Sequence, residues 1–122
     1  MHNKEKAIAF LHLASSGKVR EAYETYVHPQ FRHHNPYFPG DRASLLAAME
    51  ENAATFPQKE FEALRALEDG DLVAVHGRVR LTPGNPWIAL MHIFRFQDNQ
   101  IIEEWEAGQE VPQDSPNENG VF

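Results

Sequence analysis

Apolar side chains recur at two different periods along the chain, and the period changes near Pro57. Over residues 3 to 16, Ile8, Leu11 and Leu13–Ala14 fall near helical spacing, with Asn3 placed to cap the start and Gly17 suited to a left-handed stop. A second, shorter helix carries Val19, Ala22, Tyr23 and Tyr26 on one face and is ended by Pro29. The stretch FRHHNPYFPG, residues 31–40, has no period and reads as an irregular, stiff loop. Asp41 then caps a third helix with Leu45, Leu46, Met49 and Ala53 inward, closed by Pro57.

Beyond Pro57 the pattern is that of strands. Residues 59–67 alternate Phe61, Ala63, Arg65 and Leu67 against Glu62, Leu64 and Ala66. After the turn EDGD, residues 72–81 set Val73, Val75, Gly77, Val79 and Leu81 on one face and Ala74, His76, Arg78 and Arg80 on the other. WIALMHIFRF, residues 87–96, is apolar on both faces, as in a strand covered on both sides. A turn at QDNQ leads into a last strand over residues 101–109. Three helices followed by a four-strand meander make an α+β domain, and a strongly curved sheet would leave a conical cavity around its helices. One domain over residues 1–122 is expected, with 110–122 a mostly irregular tail onto which Val121 and Phe122 could still dock.

Composition narrows the function. The net charge is −7, from 18 acidic and 11 basic residues, and no basic stripe offers itself to nucleic acid. No cysteine is present, which excludes disulfides, thiolate catalysis and zinc–thiolate sites. No apolar run approaches a membrane span, and the N-terminus reads as an amphipathic helix without a cleavage site, so cytoplasm is the expected location. His28, His33, His34, His76 and His92 could supply metal ligands, yet no His-x-x-x-His pair stands on a helix and no acid sits at a familiar metal spacing. Neither a metal nor another cofactor is expected.

The chain resembles the SnoaL-like group of the nuclear transport factor 2-like fold, whose best-known members are polyketide cyclases that catalyse aldol ring closure. HNP (34–36), DGDLVAVH (69–76), HIFRFQDNQIIEEWE (92–106) followed by Gln109 and Pro112, and NENGVF (117–122) carry the likeness over nearly the whole chain. It implies a cone in which N-terminal helices pack in a strongly curved, mostly antiparallel sheet, and a homodimer paired through that sheet. The bacterial subgroup usually reads Asp-Ile-Phe-Arg where this chain has His92-Ile93-Phe94-Arg95, and Glu-His-Trp-Asp where it has Glu103-Glu104-Trp105-Glu106. The cyclases use a late acid/base aspartate, for which Glu106 is the nearest counterpart here.

Turn length decides whether these groups meet. A three-residue loop, QDN, pairs Phe96 with Gln100 and sets His92 opposite Glu104, so that His92, Glu104 and Glu106 share a face with Leu90, Phe94 and Ile102. A two-residue loop instead sets His92 against Trp105 and removes both glutamates from its face. The first register is favoured, because it makes the two departures one exchange of an acid and a histidine between strands. An imidazole beside carboxylates is then a unit for moving protons next to a carbonyl. A cross-strand pair on a wet face is the plain alternative.

The remaining expected contacts to a small-molecule substrate are His34, Asn35, Tyr37, Phe38, His76 and Phe94, with Phe31 also walling the pocket. In an extended segment adjacent residues face opposite ways, so one of His33 and His34 reaches the pocket; the HNP match selects His34. As structural residues, His33 or His34 would instead bond the loop backbone. His76 could equally lie on a simple exposed face. The expected activity is a metal-free lyase or isomerase acting on a small carbonyl compound. The alternative is a ligand-binding protein without catalysis on the same fold. Epoxide hydrolysis, a third possibility on this fold, wants an Asp-Arg-Asp network that the chain lacks.

Overall fold

A computed structural model describes residues 1–122. The elements run α1 (Asn3–Ser15), α2 (Val19–Tyr26), β1 (Val27–His33), α3 (Arg42–Thr55), β2 (Glu60–Asp69), β3 (Leu72–Arg80), β4 (Ile88–Gln97) and β5 (Gln100–Glu110). The five strands form one curved, unclosed sheet in the order β1-β5-β4-β3-β2. This is the expected α+β cone, with a fifth strand added. No helix is long and apolar enough to cross a membrane.

The helices form where the pattern places them. α1 buries Ala7, Phe10, Leu11 and Ala14, and Gly17 follows it at φ +90°. Its N-cap is His2, one residue before Asn3, and the His2 amide donates to Glu5 Oε1 at 3.2 Å. Asp41 caps α3, accepting from the Ser44 amide at 2.9 Å. The helices cover one face of the sheet, where Val73, Val75, Phe94, Phe96 and Ile101 complete the core with Tyr23 and Phe31.

β1 corrects the sequence reading, which ended the second helix at Pro29 and left the following residues irregular. β1 runs parallel to β5 and pairs at Val27↔Ile101, then again only at Arg32↔Glu103 and His33↔Glu104. Pro29 sits in the irregular gap of this edge strand, where no ladder bond is asked of it.

Two bulges change which side chains face inward. On β2 the register slips between Ala63 and Arg65. Phe61, Ala63 and Ala66 therefore pack on the core, and Leu67 turns outward at 74% exposure, against the simple alternation. Gly77 opposite is required, since a Cβ there would lie 2.9 Å from the Phe61 ring. On β4–β5 neither expected register is realised in full. Asp98 and Asn99, both at positive φ (53° and 65°), form a two-residue turn pairing Gln97 with Gln100. Ile102 is then skipped, so Arg95 pairs with Glu103, Phe94 with Glu104 and His92 with Glu106. The bulge undoes the flip that the tight turn imposes. His92, Glu104 and Glu106 share a face, and the glutamate directly opposite His92 is Glu106.

β4 is apolar on both sides, but this chain covers only one. Met91 and Ile93 stand 57% and 43% exposed on the outer face.

Candidate functional site

The centre of the inner face is a cluster of ionisable groups. His92 and Glu104 are 6% and 5% exposed. His92 Nε2 lies 3.3 Å from Glu106 Oε2 and 3.7 Å from Glu104 Oε1. Phe94, fully buried, stacks its ring on the imidazole at 5.6 Å between centroids. The other ring nitrogen, Nδ1, is buried without a hydrogen-bond partner.

This environment separates the three groups. Burial pushes the Glu104 carboxyl up to about 7; the nearby imidazole opposes the shift and the Glu106 charge adds to it. Burial works to lower His92, but the hydrogen bond to Glu106 and the charges of both glutamates outweigh it and hold the imidazolium above its ordinary range. For Glu106, burial is outweighed by the His92 hydrogen bond and charge and by Asn35, so the carboxyl falls below its usual value. The environment thus favours the charged forms of Glu106 and His92 and leaves Glu104, lifted to about 7, divided between acid and carboxylate near neutrality.

Glu106 borders two cavities. The inner one, about 220 Å³, is walled by Leu11, Met49, Phe61, Val79, Leu81 and Leu90, and is also lined by Asn52, Lys59, His92 and Glu106. The outer one, about 460 Å³, lies at the rim, lined by Asn35, Pro36, Tyr37, Leu90 and Ala107 as well as Glu106. Leu90 and Glu106 line both.

The loop after β1 holds Asn35 against this carboxylate. His33 Nε2 lies 2.7 Å from the Pro39 carbonyl, and His33 Nδ1 accepts from the Asn35 amide at 3.0 Å. A carbonyl only accepts, so the ring carries its proton on Nε2. Asn35 Nδ2 then donates to Glu106 Oε1 at 2.7 Å. Strand phase explains the arrangement: Phe31 and His33 point inward, and Asn35 follows at the same parity.

His34 therefore takes the opposite side, contrary to the choice made from the HNP motif. Its Nε2 bonds Glu103 at 2.8 Å and its ring stacks on Trp105 at 5.1 Å, on the outer face. His76 also faces outward, bonded to Arg65 and paired on the ladder with Met91, so it does not meet the His92 cluster. Tyr37 is 85% exposed at the rim, and Phe38 is 42% exposed without lining either cavity. Phe31 is core. Lys59 and Asn52 border the inner cavity and were not singled out from the sequence, where a lone lysine at a strand entrance carries no motif.

His92, Glu104 and Glu106 also bring one potential ligand atom each within 4.8 Å of one another, a spacing that a divalent cation could bridge. Such binding would need Glu104 fully ionised and His92 deprotonated, against the direction in which burial and charge drive both.

Comparison with known proteins places the fold and the family. No functionally curated protein matches the sequence. Among solved structures, wild-type IdmH of Streptomyces antibioticus, provisionally assigned as a polyketide cyclase, superposes with a TM-score of 0.73 at 18% identity over 88% of this chain and 92% of that one. A provisionally assigned polyketide cyclase of Acidithiobacillus ferrooxidans gives 0.72 at 23% identity over 87% of each chain. AclR of Streptomyces galilaeus, provisionally assigned as a hydroxylase, gives 0.74 at 17% identity over 88% of this chain and 78% of that one. At these identities the likeness is one of fold, the nuclear transport factor 2-like cone, and it joins proteins assigned to different chemistries. A model of the SnoaL-like domain matches residues 7–104, most of the sequence, and the chain belongs to the SnoaL-like family.

Proposed function

We propose that the protein is a lyase or isomerase that moves a proton next to the carbonyl of a small, largely apolar compound, as in aldol ring closure. The observation that carries this reading is a buried imidazole within 3.3 Å and 3.7 Å of two carboxylates beside an apolar cavity. Ionised Glu106 is the base: it borders both cavities and its side chain is 26% exposed, so a substrate C–H can approach it. Protonated His92 stands beside it and stabilises the negative charge that develops on the enolate oxygen. Glu104 tunes the pair: as the neutral acid it spares His92 a second anionic partner, and as the carboxylate it holds the imidazolium more strongly. Asn35, steadied by His33, fixes the base.

The test is α-proton exchange in deuterated buffer, followed by NMR over a panel of small ketones. Wild-type protein exchanges at least one of them above the buffer rate, Glu106→Gln does not, and chelator leaves the rate unchanged. Exchange that persists in Glu106→Gln, or that depends on added metal, contradicts the reading.

The assembly proposed with it is a homodimer. Leu67, Met91 and Ile93 form the exposed apolar part of the outer sheet face, which a second copy would cover. Sedimentation should give twice the chain mass, and Met91→Glu should shift it to the monomer.

A further inference from the structure

The inner cavity holds one group that acid–base chemistry at His92 and Glu106 leaves unused. Lys59, the residue before β2, lines it half-buried, in a space walled mostly by aliphatic and aromatic side chains. It takes part in none of the chain's ion pairs; its amine donates instead to the side-chain oxygen of Asn52, a neutral acceptor on α3. A lysine withdrawn from water is ordinarily paired with a carboxylate. Here burial without such a partner drives the amine below its ordinary range. Of the four lysines, Lys4 and Lys18 are exposed and Lys6 bonds a backbone carbonyl.

The geometry points to Lys59 as a covalent site, whose amine condenses with the aldehyde or ketone carbonyl of the compound occupying this cavity. The neutral amine adds to the carbonyl carbon; a C–N bond forms and the carbonyl π pair moves to oxygen, which takes up a proton. The carbinolamine loses that oxygen as water, leaving a C=N bond, and no oxidant or reductant enters. A protonated imine is a stronger electron sink than the carbonyl it replaces. The pair released when Glu106 removes the α-proton then runs to nitrogen, giving an enamine, and on this route His92 serves as the proton donor to the departing oxygen rather than as a partner of an enolate oxygen. The substrate class narrows accordingly to apolar ketones or aldehydes with an enolisable position one carbon away. This deepens the proton-transfer reading and rests on it for the second step only, because condensation itself requires Lys59 and not Glu106.

Acetylacetone is the probe, since it condenses with unprotonated amines to a stable enaminone that absorbs in the near ultraviolet. The protein is incubated with it near neutral pH, then digested and mapped by mass. Wild-type protein gains one diketone less one water on the Lys59 peptide, at a rate at least tenfold above Lys4 and Lys18. Lys59→Arg and Lys59→Met lose that adduct while circular dichroism shows them folded. Glu106→Gln retains the adduct and loses α-exchange, whereas wild-type protein that forms the adduct without any α-exchange would uphold the covalent site and overturn the proton-transfer reading. Labelling of Lys59 no faster than the surface lysines overturns the proposal, and α-exchange that survives in Lys59→Arg at the wild-type rate overturns its role in turnover while leaving the acid–base reading intact.

Discussion

Glu103 and Glu104 are neighbours on β5 with similarly small exposed surfaces, 6% and 5%, but Glu103 lies just beneath the surface and Glu104 deep in the interior, and they behave oppositely. Glu103 faces outward, toward two arginines and a histidine. Arg32 Nε lies 3.0 Å from it, His34 Nε2 2.8 Å and Arg95 Nε 3.4 Å. The Arg32 hydrogen bond leads the effects that hold its carboxyl down to about 2. Glu104 faces inward, among apolar groups and beside a second carboxylate, and burial lifts it to about 7. A small exposed surface alone therefore does not set a carboxylate's state: depth in an apolar interior decides it for Glu104, and the Arg32 hydrogen bond decides it for Glu103. The outward glutamate is a fixed anion in a structural network, and the inward one can carry a proton near neutral pH.

Substitutions can break this contrast. The largest effect should come from the inward cluster: Glu106→Gln or His92→Ala should lower α-proton exchange by about 10²–10⁴-fold, the usual worth of a positioned acid or base, with the fold intact by circular dichroism. Next comes stability against pH. Glu104 and His92 bind protons more tightly folded than unfolded, so their contribution is fully present below their unfolded values and is lost as pH rises through the folded ones. Glu103 and Glu106 act in the reverse sense, losing theirs as pH falls below the ordinary carboxylate range. Thermal stability should therefore peak in weak acid. At pH 8 the ionised Glu104 costs up to about 3 kcal/mol, from its rise to about 7. Glu104→Gln should recover part of this, raising Tm by several degrees at pH 8 and flattening the alkaline limb.

The outward substitutions should be milder. Glu103→Gln should lower Tm at pH 7 by the equivalent of about 1 kcal/mol, the scale of solvent-reached ion pairs, and should lose its effect near pH 2. His34→Ala should be smallest, below about 1 kcal/mol, with α-exchange unchanged. A large exchange defect in His34→Ala would mean that the two faces of β5 are not independent.

How much of this could be read from residues alone follows the same division between regular and interrupted backbone. α3 and β3 keep an unbroken period, and their buried faces follow from it; on α1 the period gives Leu11 and Ala14, but Ala7 and Phe10 are buried where Ile8 and Leu13 only flank the core. β1 has little period to show, because a proline and a two-point ladder leave it polar and irregular. Missing it obscured the strand phase that turns His33 and Asn35 inward and His34 out. The bulges at Leu64 and Ile102 leave no mark in composition. On β5 a turn one residue shorter and a bulge one residue longer offset each other in parity, so His92, Glu104 and Glu106 came together although the pairing moved by two residues. Lys59 was invisible for a different reason: its withdrawal from water depends on how α3 and β2 meet.

The most direct test of the account is the titration of the glutamate side-chain carboxyls by NMR, using protein labelled at glutamate Cδ and assigned with Glu104→Gln. The account predicts one carboxyl with a midpoint near 7, absent from the variant, alongside Glu103 ionised to about pH 2. If every glutamate instead titrates at or below its ordinary value, the inner face holds no proton-bearing acid, and the separation of the two faces of β5 on which the proposed chemistry stands is contradicted.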